Sequence, residues 1–278
     1  MDLSYLAIPT FQRALLAGSL LAAMLALLGV LVTARGLSQL GDGLSHAAFG
    51  GIALGMFVGV ASPLWVAIPV TALAAIAIGT LRRRGGLRSD VAMAILFASC
   101  FAAGVIFLHE HLKRGKAGTL FDPEQLLFGN ILLVGSSDLY LVLGIAAVTV
   151  TFFVLAFSHV AYATFDEDLA RLSGIPVGWL ESALLALLAA VVVAAIRLAG
   201  VVLVSAFLVI PAATGKMLGR TLPRVIGLAM LSGVLGVLTG FDMGNRMEWP
   251  AGATIVLSLS AQFVLAVAVA QLRRRGRA

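Results

Sequence analysis

Charge is what this sequence has least of. Of 278 residues only 12% are Asp, Glu, Lys or Arg, while 61% are hydrophobic; a soluble domain carries roughly 25% charged residues. The shortage excludes an ordinary water-soluble enzyme or binding module and leaves an all-α, polytopic membrane protein, read as a single transmembrane domain over residues 1–278. Cysteine is nearly absent too. Cys100 stands alone in an apolar run, which excludes an intramolecular disulfide and any cysteine-based metal cluster within one chain. No Gly-x4-Gly-Lys-Ser/Thr phosphate loop occurs, so the chain by itself is not expected to hydrolyse ATP. A cleavable signal peptide is not evident: the first apolar run, residues 14–33, exceeds a signal h-region and no clear small-residue cleavage site follows it.

Long apolar runs are what the chain has instead. Runs of roughly 18 residues or more mark membrane helices. They fall near 11–33, 44–60, 63–81, 90–108, 138–158, 176–196, 199–219, 223–241 and 250–272, about nine spans, with eight as the alternative. The run 176–219 is long enough for two spans and is interrupted at Arg197 and Gly200, which predicts a tight helical hairpin. Residues 126–134 are apolar but too short to cross, which predicts a re-entrant or surface helix. Pro211, inside the seventh span, predicts a kink.

The formal net charge of +6 invites a nucleic-acid reading. The basic residues sit in short loops between apolar runs, so membrane orientation explains them better and no nucleic-acid partner is expected. Nine spans with a cytoplasmic C-terminus place thirteen of the nineteen Lys and Arg inside, including the clusters at 82–88 and 273–277, and put the N-terminus outside. The eight-span alternative would bring the N-terminus inside.

Residues 36–51 carry the most informative polar groups: Asp42 and His46 open a hydrophobic segment, four residues apart and therefore on one helix face. Ionisable groups at membrane depth are costly and usually face a cavity or a partner. A carboxylate oxygen and an imidazole nitrogen one turn apart form half of a divalent-metal site. The structural alternative makes Asp42 an N-cap and His46 a satisfied interior histidine. Ser45, on the same face, is a candidate to orient the ligands. His109 and His111, flanking Glu110 at the end of the fourth span, are secondary candidates for metal capture; their spacing is not His-Glu-x-x-His, so a peptidase gains no support. Residues 164–176 place Asp166, Glu167 and Asp168 before Leu169, Ala170, Arg171 and Leu172, then Gly174 and Pro176. That pattern predicts a short amphipathic helix with its acids at the positive end of the dipole and a glycine stop.

Four stretches then resemble one family. They are Gly-Asp-Gly-Leu-Ser-His-Ala at 41–47, Leu-Phe-Gly-Asn-Ile-Leu-Leu-Val at 127–134, Asp-Leu-Ala-Arg-Leu-Ser-Gly-Ile-Pro at 168–176, and Gly-Val-Val-Leu-Val-Ser-Ala-Phe-Leu-Val-Ile-Pro-Ala-Ala-Thr at 200–214. In this order they resemble the permease subunits of bacterial ABC importers for zinc, manganese or iron. One departure is visible: Phe49-Gly50-Gly51 stands where family members often carry Leu-Pro-Gly, which bears on local helix geometry. The resemblance implies a homodimer in the bacterial cytoplasmic membrane with a translocation path on its two-fold axis. It implies a cytosolic ATPase docked at the loop matching 164–176, and an extracytoplasmic metal-binding protein that delivers the ion. No permanently bound cofactor is expected; the metal ion is cargo. A secondary transporter would normally show more intramembrane carboxylates or two repeated halves, and neither is evident. An intramembrane enzyme would need a nucleophile–base pair or a complete metal site, and only Asp42 and His46 are at hand.

Overall fold

The computed structural model describes residues 9–60, 62–84, 89–114 and 135–275. Every element among them is helical: α1 Pro9–Ala34, α2 Leu40–Val58, α3 Leu64–Arg84, α4 Ser89–Lys113, α5 Ser136–Phe165, α6 Glu167–Leu172, α7 Val177–Leu218, α8 Leu222–Met247 and α9 Ala251–Arg275. Apolar surroundings require backbone groups to be satisfied within the segment, and helices do this. Six segments are long and apolar enough to cross a membrane, against the nine expected; Leu64–Thr80 and Val202–Leu218 are apolar but shorter. The expected helix at 126–134, the motif 127–134 and the basic residue Arg88 lie outside the described residues.

The helices form layers around two central ones. The apolar windows of α1 and of the first half of α7 are 67% and 72% buried inside the chain, whereas those of α4 and α5 are only 17% buried. α4 and α5 turn Ile95, Ile106, Val154 and Leu155 outward, as helices facing lipid would. The order is legible in close contacts. Gly233 of α8 meets Ala22 of α1, and Phe11 meets Phe241 edge to face at 5.5 Å, so α1 and α8 run antiparallel. At the other end Arg35 Nε and Nη2 donate to Thr164 Oγ1 at 3.2 and 3.1 Å, tying the exit of α1 to the end of α5.

That end of the bundle, marked by Arg35, decides how α7 runs. The chain reaches α7 from Thr164 after one short helix, and Glu181 and Leu185 lie beside Gly79 near the exit of α3. The far end of α7 packs Gly215 and Gly219 on Val225 at the start of α8, and Ala212, Ile226 and Ala229 close on Ala26 and Val30 of α1. Both ends of α7 therefore face the same way. A straight helix of its 42 residues would be about 63 Å long, twice the apolar core of a bilayer. The run turns back at Gly200, the one non-helical residue inside it, at φ 76°, ψ 165°. This is the hairpin expected from the sequence. Pro211 lies inside the second half without a non-helical residue of its own, so the break belongs to Gly200.

The φ/ψ of Gly200 is a region only glycine occupies without strain, at roughly 1–3 kcal/mol for other residues. Gly200→Ala should lower the thermal stability of the detergent-purified protein by about that amount. Gly144→Ala, at a mid-helix position with nothing within 4 Å of an added Cβ, should be neutral or stabilising by about 0.5–1 kcal/mol. Equal melting shifts for the two variants would remove Gly200 as the pivot.

Candidate functional site

α2 begins at Leu40, with Gln39 as N-cap and no side-chain capping bond. Asp42 is therefore inside the first turn and is not the N-cap; at about 1.5 Å per residue it lies roughly 3 Å along the helix and His46 roughly 9 Å. The helix runs unbroken through Phe49-Gly50-Gly51, the place where the family pattern often has proline. Glycine there admits α4: a Cβ on Gly50 would stand 2.6 Å from the Cys100 carbonyl oxygen. Two turns earlier, a Cβ on Gly43 would overlap the Phe97 ring. The flank of α2 beside the polar pair is thus stripped to backbone at Gly43 and Gly50 so that α4 packs against it.

His46 Nε2 stands 4.0 Å from Asp42 Oδ2, with the two side chains 37% and 67% exposed. They are too far apart for a direct hydrogen bond. Two donors each about 2.0–2.2 Å from one ion stand at most about 4.4 Å apart, so both reach a single cation. Ser205, on the second half of α7, donates to Asp42 Oδ1 at 3.4 Å. The His46 ring meets Phe101 of α4 edge to face, centroids 5.2 Å apart. A hydroxyl steers the carboxylate and an aromatic edge fixes the imidazole. Ser45 does not serve as expected: it is buried and donates to the Gly41 carbonyl at 2.9 Å. Ser205 takes the orienting role. Its signal in the sequence was a serine amid the apolar run 200–214, but nothing local paired it with a residue 163 positions away.

Among the described residues no group of three or more His, Cys, Asp or Glu gathers to hold a metal. One chain supplies two donors. His109 and His111 both fall on the last turns of α4, where two residues of separation turn them about 200° apart, and Glu110 pairs with Lys113 at 3.1 Å. The structure does not bring them together. Asp138 and Asp242 serve locally: Gly135 N donates to Asp138 Oδ2 at 3.1 Å, and Asp242 pairs with Arg246 at 3.0 Å.

The short helix at 164–176 forms as α6. Asp166 caps it, its Oδ1 accepting from Leu169 N at 2.9 Å. Glu167 pairs with Arg171 along the helix, Gly174 takes φ 79°, and Ser173 Oγ returns to the Leu169 carbonyl at 2.9 Å. Ala170 is fully buried against the bundle, while Leu172 is 84% exposed and Leu169 46%. A helix of one and a half turns is not stable alone; the cap and Ala170 hold it. Its outer surface presents leucines that no element among the described residues covers. Asp166→Ala should cost about 1 kcal/mol of local stability, seen as roughly fivefold faster amide exchange confined to 167–172, with Asp166→Asn close to wild type.

Comparison with known proteins follows this geometry closely. The chain is 34% identical to the manganese transport system membrane protein MntC of Halalkalibacterium halodurans, over 92% of this chain and 85% of that one. It is 30% identical to the chelated iron transport system membrane protein YfeD of Yersinia pestis, over 94% and 86%. Among solved structures, one chain of PsaBC from Streptococcus pneumoniae in complex with Fab superposes with a TM-score of 0.82 at 30% identity, covering 93% of this chain and 91% of that one. Residues 7–270, nearly the whole length, match a single family. The chain belongs to the ABC 3 transport family.

Proposed function

We propose that this chain is the membrane permease subunit of an ATP-driven importer for a divalent transition metal, with Asp42 and His46 on the ion path. The observation that carries the proposal is the Asp42/His46 pair itself: two donors 4.0 Å apart, open on one side, in a bundle otherwise made of apolar helices. Relatives named for manganese and for iron favour those ions, and one oxygen and one nitrogen donor also accept zinc.

Two donors per chain argue for two chains. A two-fold axis beside α2 would bring two carboxylates and two imidazoles to one ion, with water completing the shell. A transported ion has to leave again, so an open, incomplete site suits the task better than a closed one. The cytosolic ATPase would dock on α6 and its flanks, through Asp166, Glu167, Asp168, Leu169, Ala170, Arg171 and Gly174, where exposed leucines sit beside charge. The chain itself is not the enzyme; hydrolysis belongs to that partner. An extracytoplasmic metal-binding protein delivers the ion at the other end. The excess of arginine after the third and last apolar runs supports an orientation with the Arg35 end and the C-terminus in the cytoplasm of a bacterial cell and the N-terminus outside.

The test is initial uptake of labelled manganese, ferrous iron and zinc by cells expressing the chain with its ATPase and binding protein. Asp42→Ala and His46→Ala, at matched membrane abundance, should each lower uptake by more than about 100-fold. Ser205→Ala, which removes an outer hydrogen bond, should cost no more than about tenfold. ATP depletion should abolish uptake in the wild type. Uptake that survives ATP depletion would replace the proposal with an ion-gradient-driven transporter. ATP-dependent uptake unchanged in both alanine variants would remove the pair from the path.

A further inference from the structure

A groove of about 830 Å³ opens at the Arg35 end of the bundle, between the α7–α8 turn and the last turns of α9. Its mouth carries Arg220, Arg224 and Arg273, and its inner wall is Gly227, Leu228 and Leu231. No carboxylate lines it. Among the described residues none of the three arginines is held in an ion pair. Three exposed guanidiniums from two separate stretches of the chain, the α7–α8 turn with the start of α8 and the end of α9, thus converge without a counter-ion. The start of α8 adds the positive end of its dipole at the same place.

Polarity is graded along the groove. Arg224 lies in the first turn of α8, and Leu231 lies seven residues on, about 10 Å deeper into the bundle. Leu231 is an outward-facing side chain, and a Cβ on Gly227 would meet nothing within 4 Å, so the apolar part is an open slot on the bundle surface. A ligand that fits is anionic at one end and apolar at the other, and it enters from the side. A soluble acidic protein would meet the arginines but not the slot, which continues along the membrane-facing side of α8. We infer that this groove binds an anionic phospholipid, its phosphate among Arg220, Arg224 and Arg273 and an acyl chain along Gly227, Leu228 and Leu231. Basic pockets between membrane helices on the cytoplasmic side have the same character. The site is independent of the transported ion and of Asp42 and His46.

The experiment uses the full-length chain in detergent, titrated with dioleoyl phosphatidylglycerol, with dioleoyl phosphatidylcholine, and with inorganic phosphate. Native mass spectrometry reads bound lipid and a melting curve reads stabilisation. Phosphatidylglycerol should be retained and should raise the melting temperature, while phosphatidylcholine and phosphate leave it unchanged. R220Q/R224Q/R273Q should bind phosphatidylglycerol at least about tenfold more weakly, since each surface arginine contributes about one charge's worth of attraction. Gly227→Phe, which keeps every charge and fills the slot, should lose retention as well. Arg13→Gln, at the opposite end of α1, should behave as wild type. Equal binding of the two lipids, or a triple variant that retains phosphatidylglycerol, overturns the site. A shift reproduced by phosphate alone, or one untouched by Gly227→Phe, reduces it to a bare anion site and overturns the lipid. If the triple variant fails to fold, Gly227→Phe and the single arginine variants carry the same test.

Discussion

In an apolar surrounding, every backbone N–H and C=O has to find its partner within the chain. The rest of the molecule follows from that constraint. It makes each described element a helix, and it makes any lapse in helical bonding conspicuous. The lapse at Gly200 lets one apolar run of 42 residues fold back so that both its ends reach the Arg35 end of the bundle. It also brings Ser205 back toward the start of α2, where its hydroxyl reaches Asp42. A backbone exception in one helix therefore helps to build the polar site in another.

The site is arranged around the cost of placing charge in such a bundle. Asp42 and His46 are not buried against one another. They stand too far apart for a mutual hydrogen bond and close enough for a shared ion. A tightly made pair would neutralise itself and leave nothing for a cation to gain; a fully separated pair would leave each group unsupported. The neighbours resolve this without quenching either. Ser205 gives Asp42 one hydrogen bond and Phe101 offers His46 a ring edge. The adjacent flank of α2 gives up side chains at Gly43 and Gly50, so Phe97 and the Cys100 backbone come close enough to hold the helix.

What the sequence made legible was whatever depends on neighbours along the chain. Apolar runs announced the helices, a glycine between two runs announced the turn in α7, and three acids before a leucine pair announced α6, whose cap at Asp166 the structure added. The i, i+4 spacing placed Asp42 and His46 on one face. Boundaries were less legible: α5 runs from Ser136 to Phe165, well past the apolar stretch that marked it, because helical bonding continues into the more polar residues near Thr164 and Arg35. Contacts that join distant segments were not legible at all. Nothing near Ser205 or Phe101 says that they meet α2, and nothing near Ser45 says that its hydroxyl is consumed by the Gly41 carbonyl. The convergence of Arg220, Arg224 and Arg273 is of the same kind, since it exists only once α7, α8 and α9 have packed.

The two ends of the bundle are built for different work, and the connection between them is covalent. α6 sits at the Arg35 end with its leucines outward and Ala170 inward, and four residues later the chain enters α7. The first half of α7 is the most enclosed of the membrane-length helices among the described residues, and the link 173–176 that joins it to α6 is fastened by Ser173 N donating to the Leu169 carbonyl at 3.0 Å and Ile175 N to the Ala170 carbonyl at 3.1 Å. Beyond Gly200 the second half returns along α1 and α2 and carries Ser205 to Asp42. Coupling between distant sites requires an element with more than one arrangement. Inside α7 the one residue outside helical geometry is Gly200, between the enclosed first half and the half that touches the carboxylate. The position of the break, rather than its existence, is what sets α6 and the Asp42/His46 pair at the two arms of one hairpin.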